Sequence, residues 1–269
     1  MADAIPAHGA SRPDTAPPAR PVKIWLFLVL VAVYLVIVQG MSAVLSAGQG
    51  FEHGKLTTDA YVIRTIVIPV GLGVALLVAV VGHLRAWDEI FRDRRPVQRW
   101  LIALPLVLFA TVAAITNYPG LADRGLAFAL LLLVATLMVG FGEELLFRGI
   151  GVTAFRQAGH SEFRVGLWTT LLFGAAHGTN IFSAGPQALV QVVATSCTGL
   201  VFYLILRRTG ALVVSMAAHG LWDFAVLSSQ IDPEESWPLV NVSAVVLVLL
   251  LLLVLILRRR ITPGAPTAR

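Results

Sequence analysis

The stretch AFALLLLVATLMVGFGEELLFRGI, residues 127–150, carries charges at only three positions, Glu143, Glu144 and Arg148. A helix that crosses a bilayer needs about 20 consecutive, mostly apolar residues, and this stretch is long enough. Charged side chains in the hydrocarbon are costly, so they are rare and usually face a polar cavity or a functional site. The sequence therefore predicts a membrane-spanning helix that carries a polar site inside the bilayer.

The composition of the whole chain fits the same interpretation. The chain has 269 residues, of which 57% are hydrophobic and 13% are charged, and its mean hydropathy is +0.82. Soluble domains are about 25% charged. The single cysteine, Cys197, excludes a disulfide framework and a CxxC metal site. We predict an all-α, polytopic integral membrane protein, and we do not interpret the basic pI as a sign of nucleic-acid binding.

Long apolar runs predict a bundle of about eight transmembrane helices. The predicted spans are residues 24–46, 62–84, 101–117, 126–150, 164–178, 187–207, 211–228 and 238–257, and the fourth could continue as helix to about Arg156. The Pro- and Ala-rich residues 1–22 predict a disordered tail.

The distribution of basic residues predicts that both termini are cytoplasmic. With the N-terminus inside, 17 of the 20 Lys and Arg residues fall on cytoplasmic segments, and only Lys55, Arg64 and Arg124 do not. The cytoplasmic ones are Arg12, Arg20, Lys23, Arg85, Arg92, Arg94, Arg95, Arg99, Arg148, Arg156, Arg164, Arg207, Arg208, Arg258, Arg259, Arg260 and Arg269. The outer loop before the last span is acidic, with Asp232, Glu234 and Glu235. We expect a multi-pass protein of the cell membrane, and we expect it to be bacterial.

Three predicted spans carry polar residues that are unusual in lipid. Besides Glu143, these are His177 in the fifth span, and His219 and Asp223 in the seventh. His219 and Asp223 are four residues apart and share one helix face, as do Glu144 and Arg148, which can form an ion pair.

Glu143, His177 and His219 are predicted to lie at a similar depth in the bilayer. Glu143 lies 13 residues before Arg156, His177 13 after Arg164, and His219 11 after Arg208. If the arginines mark the cytoplasmic interface, a rise of ~1.5 Å per residue puts all three groups roughly 16–20 Å from it. We therefore expect one converged site that is entered from the cytoplasmic side.

This residue set allows hydrolysis of an amide bond by an activated water molecule. A carboxylate and an imidazole can deprotonate water. The same groups, Glu143, His177, His219 and Asp223, could instead hold a single Zn²⁺ that acidifies the water. The sequence has no H-E-x-x-H pair on one helix, and a metal-free glutamate–histidine pair is favoured.

The motifs EELLFRG, F-x-x-x-H at Phe173 and His177, and H-x-x-x-D at His219 and Asp223 resemble those of the type II CAAX prenyl proteases. This family is also called the CPBP family of intramembrane proteases, and it includes abortive-infection and bacteriocin-processing proteins. The run TGALVVSMAAHGLWDF, residues 209–224, resembles the last motif helix of the family. The resemblance covers about residues 128–227.

The resemblance implies roles for individual residues. Glu143 is similar to the catalytic glutamate and His177 to the histidine that helps it to activate water. His219 and Asp223 resemble the pair that stabilises the oxyanion or binds a metal, and Glu144 and Arg148 resemble supporting residues. The family commonly has Asn where Asp223 stands, and an ionised Asp cannot donate a hydrogen bond to an oxyanion.

The resemblance also divides the chain into segments. We expect a disordered cytoplasmic tail over 1–22, N-terminal transmembrane helices over 23–127, a CAAX-protease-like core over 128–227, a last transmembrane helix over 228–257 and a basic cytoplasmic tail over 258–269.

The predicted function is that of an intramembrane endopeptidase. The expected partners are membrane lipids and a peptide or lipid-anchored protein substrate, and not nucleic acid. Two alternatives are a proton-coupled transporter that uses Glu143 and His177 as a relay, and a proteolytically silent immunity or scaffold protein.

Overall fold

The structure is a computed structural model, and it describes residues 19–49, 56, 58–95, 97–231 and 237–257. These residues form helices and connecting turns, without a strand among them beyond one isolated bridge between Arg92 and Ala211. The helices are α1 (Ile24–Ser46), α2 (Asp59–Leu84), α3 (Trp87–Phe91), α4 (Ala103–Ile115), α5 (Tyr118–Arg124), α6 (Leu126–Gln157), α7 (Glu162–His177), α8 (Ile181–Ala184), α9 (Gln187–Thr209), α10 (Leu212–Ser228) and α11 (Asn241–Leu257). The predicted all-α fold class is confirmed.

The prediction of several membrane spans is confirmed, but the count of eight is not. Within the described residues five helices are long and apolar enough to cross a membrane, namely α1, α2, α6, α9 and the segment Pro238–Ile256 that includes most of α11. The segment Arg99–Ile115 and helix α5 would form a sixth span together, with a bend of 56° between them.

The two remaining predicted spans, 164–178 and 211–228, are helices α7 and α10. Helix α10 has only 17 residues and α7 only 16, so both are shorter than the helices identified as spans. Both carry polar residues of the predicted site. These residues face the interior of the bundle. Length and hydropathy therefore identify α7 and α10 as membrane spans less well than they identify helices that face lipid.

Many of the arginine-bearing helix ends meet at one end of the bundle, which we call the arginine end. There Arg156 and Arg207, which close α6 and α9, both lie 2.9 Å from Asp93 Oδ2 in the segment that follows α3. Glu162 at the start of α7 accepts hydrogen bonds from Arg156 at 2.8 and 2.9 Å and from Arg207 at 2.6 Å. Arg95 also pairs with Glu162.

The beginning of α1 is attached to the same end. The backbone N–H of Arg20 donates to the Leu84 carbonyl at 2.8 Å, and that of Val22 donates to Gln157 Oε1 at 2.6 Å. Val22 is buried. Of the tail that was predicted over residues 1–22, residues 1–18 lie outside the described part of the chain, while residues 19–22 pack against the helices.

The orientation of the arginine end in the membrane stays a prediction. The arginines expected in the C-terminal tail, Arg258, Arg259, Arg260 and Arg269, lie outside the described residues, as do Arg12 and the acidic Asp232, Glu234 and Glu235.

Helices α6 and α10 contact each other through glycine, and this contact sets the geometry of the site. A Cβ atom added to Gly140 would lie 2.5 Å from the backbone of Met216 and Gly220, and one added to Gly220 would lie 2.7 Å from Leu137 Cα. Small residues of this kind let membrane helices approach closely. Gly140 precedes Glu143 by three residues and Gly220 follows His219, so the contact holds the two polar motifs side by side.

Candidate active site

Helices α6, α7 and α10 bring together the four residues that the sequence suggests for chemistry. Glu143 Oε2 lies 3.8 Å from His177 Nε2 and also 3.8 Å from His219 Nε2. His219 Nε2 lies 3.4 Å from Asp223 Oδ2, one helical turn further along α10. Glu143 Oε2 is buried and has no hydrogen-bond partner among the described residues. This oxygen therefore faces the two imidazoles without being held by either.

Glu144 has the opposite surroundings from Glu143. It is completely buried, and its Oε1 accepts a hydrogen bond from Arg148 at 2.8 Å and contacts His219 Nδ1 at 3.0 Å. Its Oε2 accepts a hydrogen bond from Ser215 Oγ at 2.6 Å. The ion pair between Glu144 and Arg148 that the sequence suggests is thus present, and it is part of a larger network that joins α6 to α10.

Arg148 is held by an aromatic ring as well as by Glu144. Its guanidinium carbon lies 4.1 Å from the centre of the Phe173 ring, within the range of a cation–π interaction. A Cβ atom on Gly199 would lie 2.7 Å from one of its nitrogens, so this glycine leaves room for the guanidinium. Arg148 lies in a π-helical turn, Leu145–Gly151, that begins directly after Glu144. Such turns are frequent at functional sites.

His177 has a defined orientation. Its Nδ1 lies 2.9 Å from the carbonyl oxygen of Phe173, and because a carbonyl can only accept, Nδ1 must carry the proton. In the neutral ring Nε2 is then an acceptor, and this nitrogen faces Glu143. The Phe173 ring also packs edge-on against His177, with the ring centres 4.9 Å apart.

His219 lies between two carboxylates. Its Nδ1 faces Glu144 and its Nε2 faces Asp223, so a doubly protonated ring can donate to both. The Phe202 ring of α9 stacks on it at 4.6 Å with an interplanar angle of 17°. His219 is therefore fixed on its face as well as at its edges.

The four residues line a cavity of about 520 Å³. Its other walls are mostly apolar. Four carboxamide side chains also line it, at the helix ends remote from the arginine end: Gln39, Asn180, Gln191 and Gln230. The cavity thus extends from the carboxylates away from the arginines. The expectation of a site entered from the cytoplasmic side stays a prediction.

The predicted alternative of a zinc site does not fit the geometry. Among the described residues no three His, Cys, Asp or Glu side chains are arranged so that they could hold one metal ion. We therefore derive no step through a metal ion.

The sequence analysis missed three residues of the site. Ser215 binds Glu144, and its spacing of four residues from His219 is a signal that could have revealed it. Phe202 stacks on His219, and Tyr34 of α1 lines the cavity. An aromatic residue in an apolar helix gives no comparable signal, because its contacts depend on how distant helices pack.

Comparisons with known proteins agree with this geometry. Residues 125–225 match a family described as Rce1-like, type II CAAX prenyl endopeptidase Rce1-like. The chain is also 30% identical over 158 residues to an uncharacterised protein of Bacillus subtilis (strain 168), YpbD, and this similarity covers 55% of the present chain and 74% of YpbD. The chain belongs to the Rce1-like family.

The matched segment contains all six residues that the sequence analysis selected, from Glu143 to Asp223. No solved structure matches the chain. Membership of the family supports protease activity at the general level, within a multi-pass membrane protein.

Proposed function

We propose that the protein is an intramembrane endopeptidase in which Glu143 and His177 activate a water molecule. The observation that carries this proposal is the free oxygen of Glu143, which is buried in the cavity wall and lies 3.8 Å from His177 Nε2. An ionised Glu143 and the unprotonated Nε2 are both acceptors. A water molecule about 2.8 Å from each could donate one proton to each of them.

The positions of these side chains support the following reaction. The water oxygen attacks the carbonyl carbon of the peptide bond, and its proton passes to Glu143 as the new C–O bond forms. The carbonyl oxygen becomes an oxyanion. When the tetrahedral intermediate collapses, the C=O bond re-forms and the C–N bond breaks. The departing nitrogen takes the proton from Glu143, which leaves the glutamate ready for another cycle.

His219 and Asp223 have an electrostatic role in this mechanism. A doubly protonated His219 carries a positive charge beside the reacting carbonyl and stabilises the oxyanion. Asp223 lies 3.4 Å from His219 Nε2, where its negative charge favours the protonated ring. This interpretation fits an Asp at a position that is commonly Asn in the family, because an ionised Asp could not donate to the oxyanion itself.

Glu144, Arg148 and Ser215 position the reacting groups. Glu144 holds His219 by Nδ1, and Arg148 and Ser215 hold Glu144. None of these three residues is among the described residues that line the cavity. For this reason we assign them no contact with the substrate.

The cavity favours an uncharged stretch of a membrane-anchored peptide as substrate. The described residues that line it include no Lys or Arg, and most of its walls are apolar. The carboxamides at its remote end can both donate and accept hydrogen bonds, as backbone peptide groups require. A lipid-anchored protein segment or the end of a transmembrane helix would meet these requirements.

An unbiased survey of protein termini in whole cells tests the proposal. Cells that produce the wild-type chain are compared with cells that produce Glu143→Gln at the same level in the membrane. We expect new termini of membrane proteins that occur with the wild type and disappear with the variant. Identical sets of termini would contradict the proposal, and would be the expected result for a transporter or a scaffold protein.

A further inference from the structure

Tyr34 is a buried residue whose hydroxyl group has no hydrogen-bond partner among the described residues. It lies in α1, is 3% exposed, and lines the same cavity as Glu143 and His177. A buried hydroxyl that lacks a partner costs free energy, and buried polar groups are paired in the great majority of cases. An exception in the wall of a catalytic cavity therefore needs an explanation.

The other described hydroxyl side chains of the cavity wall differ from Tyr34 in this respect. Thr65, Thr195, Thr198 and Ser243 each donate to a backbone carbonyl three or four residues earlier in their own helical segments. Their protons are in use inside the helices. The hydroxyl proton of Tyr34 is free to bind a group that enters the cavity.

Close packing fixes the position of the Tyr34 side chain. A Cβ atom on Gly73 would lie 2.6 Å from its ring, and one on Gly142 would lie 2.7 Å from its hydroxyl oxygen. Gly142 directly precedes Glu143. The two glycines thus allow the ring to reach across from α1 and hold its hydroxyl beside the backbone that carries the proposed general base.

The chemistry at this point requires a hydrogen-bond donor. Glu143 and Asp223 accept hydrogen bonds when ionised, and His177 Nε2 accepts in the neutral ring. The proton of His219 Nε2 faces the Asp223 carboxylate. An oxyanion that forms beside Glu143 would otherwise have few donors, and preorganised donors aimed at such a charge are a major source of rate enhancement.

We propose that Tyr34 is a further catalytic residue, whose hydroxyl donates a hydrogen bond to the oxyanion that develops on the carbonyl of the substrate. The proton stays on Tyr34 throughout, so the balance of the reaction is unchanged. The proposal rests on the proposed peptidase function. It concerns a residue outside residues 125–225, the segment that matches the family.

The variant Tyr34→Phe tests this proposal, because it removes only the hydroxyl and keeps the ring and its contact with Gly73. The substrate is a synthetic peptide that spans the most abundant bond found to depend on Glu143 in the survey of termini. We expect kcat to fall by about 10²-fold with little change in KM, the size of effect seen when one oxyanion donor is removed. The melting temperature should be unchanged or higher, because the hydroxyl has no partner in the free protein.

Tyr118→Phe is the matched control. Tyr118 is exposed, and its hydroxyl donates to the Ala113 carbonyl at 3.0 Å, away from the cavity. We expect wild-type kcat and KM for this variant.

A second measurement uses a phosphinic analogue of the same peptide, whose anionic oxygen takes the place of the oxyanion. Tyr34→Phe should bind this analogue at least about tenfold more weakly, while the affinity for the uncleaved peptide on a Glu143→Gln background stays the same. Wild-type kcat and unchanged binding of the analogue by Tyr34→Phe would overturn the role of Tyr34 and leave the peptidase function intact. Cleavage that is equal in wild type and Glu143→Gln would instead overturn the peptidase function, and the role of Tyr34 with it.

Discussion

Glu143 and Glu144 are adjacent in sequence but have opposite surroundings. Each oxygen of Glu144 has a partner within the protein, whereas one oxygen of Glu143 has none among the described residues. Adjacent residues of a helix point about 100° apart, so a carboxylate pair can serve the protein interior with one member and the cavity with the other. The sequence predicts this division, because only Glu144 has an arginine four residues later.

The variant Glu144→Gln should therefore damage the fold more than Glu143→Gln does. It leaves Arg148 without its counter-ion in a completely buried position, and removal of one partner of a buried ion pair costs about 3–5 kcal/mol. We expect low yield in the membrane and a broad elution profile in detergent, measured beside Glu143→Gln as the matched control. Equal yield and equal melting temperatures for the two variants would contradict the supporting role of Glu144.

At the scale of elements, the contact between α6 and α10 holds the site together. The polar motifs of both helices can be recognised in the sequence, but the glycines that let the helices approach cannot be distinguished there from the other glycines. The sequence has 23 of them, and their roles depend on what packs opposite.

The variant Gly140→Ala should disturb this contact. Its Cβ would lie 2.5 Å from backbone atoms of α10, which cannot rotate away, and overpacking of this kind costs about 1–3 kcal/mol. A shift of about 1 Å in the site can also lower the rate about 10²-fold. Gly40→Ala is the control, since nothing lies within 4 Å of its added Cβ. We expect lower thermal stability and lower peptidase activity for Gly140→Ala, and wild-type values for Gly40→Ala. Wild-type values for both variants would contradict the role of the contact between α6 and α10.

At the scale of the whole molecule, the arginine end joins helices that are far apart in sequence. Burial on its own would raise the pKa of Glu162, but the hydrogen bonds and charge of Arg156, together with Arg207 and Tyr203, lower this pKa from 4.5 to about 2. A carboxyl with a lower pKa in the folded protein stabilises the fold above its unfolded pKa, and this contribution is lost as the pH falls. The contribution of Glu162 to the stability of the fold is therefore lost as the pH falls from 4.5 to about 2.

The variant Glu162→Gln should lower the free energy of unfolding at pH 7 by about 1–3 kcal/mol, between the values for exposed and buried ion pairs, and should therefore have a lower melting temperature. Its difference from the wild type should shrink as the pH falls from 4.5 towards 2, where the wild-type carboxyl also becomes neutral. Glu89→Gln, at an exposed carboxylate of the same end, is the control. A difference in melting temperature that does not change over this pH window would contradict the assignment.

The sequence predicts the helical fold, the family and the four residues that meet at the cavity, since charged residues in apolar helices have few tolerable positions. The predicted count of eight spans is not confirmed, because α7 and α10 are short and polar, and their interior positions follow only from packing. The sequence also misses Tyr34, because the position of this residue depends on how α1 packs against α2 and α6. Apolar surfaces of these helices give no signal for one partner over another.

The rate of peptide cleavage by purified Glu143→Gln tests the central claim most directly. The variant and the wild type are compared in detergent under single-turnover conditions, with the peptide identified in cells and with melting temperatures recorded for both proteins. If Glu143 is the general base, the variant should be as stable as the wild type and should cleave the peptide about 10²–10⁴-fold more slowly. A folded Glu143→Gln protein that cleaves the peptide at nearly the wild-type rate would contradict the mechanism.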